Sequence, residues 1–133
     1  MDSVKLTVLV EVSPTEDQRK VETAVQNLFS YSSTELTPRR LGSLLTIRGE
    51  GKEALGKFYN RLREERILSA ARRIMLDGFN GDLIIFHLNK QAAYARHISF
   101  SSQTGESPLG VITVEINSDK PKEVIDWLTP RVT

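Results

Sequence analysis

The 133-residue chain contains no cysteine. That excludes a disulfide framework and any thiolate metal site, and it fits a reducing compartment. There are only two histidines, His87 and His97. Ten residues apart, with no third ligand indicated, they do not form a metal-binding spacing. No apolar run approaches membrane-spanning length, so no membrane partner is expected. The opening MDSVKLTVLVEV is acidic and strand-like, with no basic region ahead of an apolar one. It does not read as a signal peptide, and a cytoplasmic location is the expectation. The Gly49-Glu50-Gly51-Lys52 turn lacks the GKS/T ending of a phosphate loop, and no serine lies in a nucleophile-elbow pattern. No cofactor is implied. Large net charge is missing too: +1 overall is not the balance of an obligate histone-like binder.

What is present is a globular balance of 39% apolar and 26% charged residues in a length suited to one domain. The charge is unevenly spread. Residues 1–30 carry three basic and five acidic groups, and 77–133 carry five and seven. The stretch 52–76 carries seven basic and three acidic groups, so attraction to a polyanion has to be local to it.

Val4 to Val12 alternates with period two and reads as a strand. Ser13-Pro14-Thr15 ends it, and Thr15 with Gln18 resembles a capping box for a helix over about 15–29, with Val21, Ala24, Val25 and Leu28 on one face. Residues 30–42 read as a linker with a short strand near Glu35–Thr37. Leu44–Gly49 is a second strand. In 52–75 the apolar phase reverses: Leu55, Phe58, Tyr59 and Leu62 share one side, whereas Ile67, Leu68, Ala71 and Met75 lie almost opposite. Either two helices meet near Glu64–Arg66, which is the expectation, or one helix is buried on different sides. Gly78 is placed to close this region. Leu83–Leu88 reads as an interior strand, Asn89 as the cap of a short helix over Lys90–Arg96, and Ile98–Phe100 as a short strand. The polar loop SSQTGESPLG follows, then a strand to Ile116 and a last helix opened by Pro121, with Trp127 over the edge of the core. Several connections are too short for parallel crossovers. The expected fold is α+β, a single domain over 1–133, with a mostly antiparallel or mixed sheet and helices packed on one face.

The chemistry admits three readings. In the first, guanidinium groups on the helices, with Tyr59 or Tyr94 as base-stacking surfaces, bind RNA; the contrasting reading makes them solvated helix faces interleaved with Glu53, Glu64 and Glu65. Asn89-Lys90-Gln91 at a strand–helix junction would bind phosphate, or would simply be a cap followed by two solvated residues. In the second, the chain is a protein-interaction or homodimer module in which an edge strand such as 110–116 pairs across a two-fold axis. In the third, His87 acts as a general base with Asp82 or Glu115, making a small hydrolase-like enzyme. The leading expectation is a protein without catalysis of its own.

The pieces REERILSAARRIM, LNKQAAYARHISF, ESPLG and VIDWLTP, in this order and spacing, resemble an archaeal group of small proteins, uncharacterised protein family 0201. The resemblance runs from the first strand to Trp127–Pro130. It implies a fold like that of the large-subunit ribosomal protein that binds 5S RNA. It also implies RNA binding or association with the archaeal exosome, with RNA-processing proteins as partners and no catalytic residue to carry across. The chain departs from the family pattern at Arg96, where a small residue, commonly glycine, is usual. Together these readings nominate Arg61, Arg66, Arg72, Arg73, Lys90 and Arg96 as nucleic-acid-binding residues.

Overall fold

Alternation in the first strand decides the layering. A computed structural model describes residues 3–102 and 110–131. In β1 (Val4–Val12), Val4, Leu6, Val8, Val10 and Val12 are all buried, and the residues between them are half-buried or exposed. Side chains of a strand point alternately to its two faces, so one face of the sheet takes the whole apolar set. The remaining elements, in chain order, are α1 (Gln18–Leu28), β2 (Ser33–Pro38), β3 (Ser43–Glu50), one tight helical turn (Lys52–Leu55), α2 (Gly56–Glu64), α3 (Leu68–Asp77), β4 (Phe79–Asn80), β5 (Leu83–Asn89), α4 (Lys90–Tyr94), β6 (Phe100–Ser101), β7 (Val111–Ser118) and α5 (Pro121–Leu128).

The strands lie in the order β2-β3-β1-β7-β5-β4, with β6 also on β5, and every pairing is antiparallel. Val8 pairs with Ile47 on one side and Val114 on the other, which aligns the buried rows of three strands. Onto that face the helices bring Val21, Ala24, Val25 and Leu28, then Phe58 and Leu62, Ala71 and Met75, and Val124, Ile125 and Leu128. Three rings run through the middle: Phe29 stacks on Phe58 at 5.1 Å and Phe58 on Phe86 at 5.4 Å. Such pairs contribute about 1 kcal/mol each beyond their burial. The α+β fold with an antiparallel sheet and helices against it is therefore the one expected.

Two local expectations need correcting. The cap of α1 is Asp17, whose carboxylate accepts from the Arg19 N–H at 2.9 Å; Thr15 does not cap it. The strand nominated for two-fold pairing, β7, is interior between β1 and β5, so its backbone is already paired on both edges. The strand order puts β2 at the open edge instead. Residues 103–109, most of the SSQTGESPLG loop, lie outside the described residues.

Gly78 closes α3 as expected, but not through a left-handed backbone, since its φ is −91°. It is glycine because β5 passes against it. The Ile85 N–H donates to the Gly78 carbonyl at 3.0 Å, and an added Cβ would overlap the Ile85 carbonyl oxygen. Gly78→Ala is expected to cost about 2 kcal/mol, the scale of overpacking, and a thermal melt against wild type checks it.

Candidate nucleic-acid interface

The apolar phase reversal in 52–75 has a definite structural origin. Helix α2 stops at Glu64, and Arg66 adopts φ 56°. The Arg66 N–H then donates to Arg63 O and the Ile67 N–H to Leu62 O, both at 3.2 Å. This is the paired-bond ending known as a Schellman motif, with Arg66 where the left-handed residue sits. It turns the chain so that α3 buries Ala71 and Met75.

The short helix α4 ends the same way. Asn89 caps its start, its side chain accepting from the Ala92 N–H at 2.9 Å. At its end Arg96 has φ 68°, the Arg96 N–H donates to Ala93 O at 3.0 Å and the His97 N–H to Ala92 O at 2.8 Å. Arg66 and Arg96 are the non-glycine residues with positive φ among those described. A left-handed backbone is sterically poor for a side chain with a Cβ, and glycine is its usual occupant. The departure noted at Arg96 thus concerns backbone conformation, not close packing.

The two endings are joined. Glu65 accepts from the Ile98 N–H at 3.0 Å, and its other oxygen lies 3.6 Å from His97 Nδ1. One carboxylate holds the segment after α4 against the α2–α3 joint, which places Arg66 and Arg96 on adjoining stretches. Both are exposed, and neither has an ion pair among the described residues. Helix α3 also begins without a side-chain cap, at Ile67. The N–H groups of an uncapped first turn suit an anion.

Farther along α3 an open cleft of about 410 Å³ is lined by Ser69, Arg72, Arg73, Leu76, Asp77, Pro130 and Arg131. Arg72 forms its wall with the charge already engaged: Nη1 donates to Thr129 O and pairs with Asp126, each at 2.8 Å. Arg73 and Arg131 are exposed there. Arg73 lies in the second turn of α3, whereas Arg66 precedes the helix.

The nominated residues therefore divide. Arg66, Arg73 and Arg96 are exposed and their guanidinium groups have no ion pair among the described residues. Arg61 is half-buried and paired with Glu64 at 3.3 Å, and Arg72 is a structural tie. Lys90 is a correction: it is 5% exposed, and its ammonium donates to Glu11 O and to Glu16 at 3.0 Å. The phosphate reading of Asn89-Lys90-Gln91 fails for that reason; Asn89 caps the helix as the other reading had it, but of the two residues after it only Gln91 is solvated. Arg131 was missed, because nothing in a sequence folds Pro130-Arg131 back against α3.

The aromatic nominations divide as well. Tyr59 stacks on Trp127 at 4.9 Å, and the Arg63 guanidinium covers its ring at 3.4 Å. Lys52 sits 5.2 Å over Trp127. Arg63 also donates to the carbonyls of Trp127 and Leu128, tying α2 to the end of α5. Tyr59 has no face free for a base; Tyr94 is exposed. His87 donates to or accepts from Thr113 Oγ1 at 3.1 Å, rather than Asp82 or Glu115, and burial lowers its pKa from the ordinary imidazole value.

Comparison with known proteins bears on the family. A family model described as RNA binding matches residues 5–118. A UPF0201 protein of Saccharolobus islandicus is 41% identical over 128 residues, covering 96% of this chain and 88% of that one. A UPF0201 protein of Methanopyrus kandleri is 47% identical, covering 90% of this chain and 80% of that one. Among solved structures, the UPF0201 protein of Methanococcus jannaschii superposes with a TM-score of 0.82 at 29% identity, over 97% of this chain and 95% of that one.

Proposed function

Because the chain belongs to the archaeal UPF0201 family, whose model is one of RNA binding, we propose that it holds RNA phosphates along the outer side of α3, from the Arg66–Arg96 joint to the Arg73–Arg131 cleft. The observation that carries this is the pair of helix endings. Two separate left-handed positions, each costing on the order of 1 kcal/mol for a residue with a Cβ, are filled by arginine and brought together by Glu65. Strain kept at two neighbouring points for the same side chain is accounted for if the guanidinium groups serve a ligand. Arginine suits phosphate through its planar fork of donors. We further propose that the protein works without catalysis of its own, as a cytoplasmic accessory in RNA processing or ribosome-related work beside RNA-processing proteins. A homodimer would use the edge of β2, where all six residues are exposed, and not β7.

The test is the affinity for single-stranded RNA across a salt series. Four phosphate contacts predict a slope of log affinity against log salt of roughly −3, at about 0.7 per contact. A flat response would remove the phosphate track altogether.

A further inference from the structure

Resting on the RNA reading above, we infer that the cavity between α1 and α4 receives one unpaired nucleobase of the bound strand, stacked on Tyr94. The cavity measures about 490 Å³, and Tyr94 in its lining precedes Arg96 by two residues. It is an open groove with room for one nucleobase. Its apolar wall is Val21 and Ala24, and its polar fringe includes Asp17, Lys20 and Gln91.

Two further observations select the occupant. Tyr94 is 49% exposed, whereas the rings of Tyr59 and Trp127 are covered by each other and by Arg63 and Lys52. Every base has a π-face, and stacking on an open aromatic ring is the sequence-tolerant way to hold one. The charges around the cavity balance: Lys20 and Lys90 stand against Glu16 and Asp17, with Lys90 already bound to Glu16. A balanced rim does not favour phosphate. It suits a neutral, flat ring with both donors and acceptors, which the Gln91 amide and the Asp17 carboxylate can answer. The backbone that carries Tyr94 is tied to α1, because Asn27 donates to the carbonyls of Ala93 and Tyr94 at 3.0 and 3.1 Å. Arg96 follows two residues later, so a phosphate on its guanidinium and a base on Tyr94 belong to one short stretch of strand.

The experiment compares a single-stranded RNA of roughly ten nucleotides, within the usual site sizes, with the same sequence as a blunt duplex. Each is titrated by fluorescence anisotropy into wild type, Tyr94→Leu and Tyr94→Phe, with thermal melts confirming that the variants fold. Tyr94→Leu is expected to bind the single strand about tenfold more weakly and the duplex unchanged, while Tyr94→Phe matches wild type on both. A single strand bound equally well by Tyr94→Leu overturns the base site, as does an equal loss on strand and duplex. Arg66→Gly with Arg96→Gly run alongside weakens both ligands if the phosphate track is right. The base site and the track can thus fail separately.

Discussion

Replacing Glu16 with alanine is expected to destabilise the fold by roughly 3 kcal/mol, the scale measured when one partner of a buried pair is removed. The carboxylate accepts from the Ser13 N–H at 2.9 Å and from Lys90 at 3.0 Å, and the Lys90 side chain is 5% exposed. Without Glu16 the ammonium keeps only the Glu11 carbonyl among its described acceptors. The reciprocal change is milder. Lys90→Met removes the charge and keeps the stem's bulk, and Glu16, 13% exposed, still accepts from Ser13. About 1 kcal/mol is expected for it, with much of the Lys90 contribution coming from packing. Thermal melts of the two variants measure the asymmetry. Equal losses of stability would mean that the pair is held by solvent and not by burial.

Replacing Arg66 and Arg96 together with glycine is expected to weaken RNA binding by about tenfold per arginine while raising stability. The sign of the second effect follows from the backbone. Both residues stand at the left-handed position of a helix ending, φ 56° and 68°, where glycine has no Cβ penalty. Glycine also gives the unfolded chain more freedom, which offsets part of the relief. The net gain is about 1 kcal/mol for the pair, or roughly 4 °C in melting temperature at this chain length. The two readouts move in opposite directions. A variant damaged in folding would lose both, so the loss of affinity can be assigned to the missing guanidinium groups.

Local signals made much of the frame legible in advance. The β1 alternation, the Asn89 cap and the break near Glu64–Arg66 all depend on residues a few positions apart, and periodicity reports those directly. The interior position of β7 depends on strand order, which no short window contains. The same holds for the site. Arg66 and Arg73 were readable as cations facing away from the core, because the phase of the apolar stripe put them there; Arg96 was nominated only through its departure from the family pattern. The burial of Lys90 was not readable, because Glu16 lies 74 positions earlier in the chain. Nor was the covering of Tyr59, which depends on Trp127 from the last helix. The left-handed backbone at Arg66 and Arg96 gave no sign in composition; a glycine there would have announced it, and the arginines hid it.

The most direct measurement is the affinity of wild type and of the Arg66→Gly, Arg96→Gly double variant for one single-stranded RNA across the same salt series. Two lost phosphate contacts predict that the variant's log–log line lies below that of wild type and is shallower by roughly 1.4. Two superimposed lines, from a variant that melts higher than wild type, would contradict the assignment of RNA to this joint.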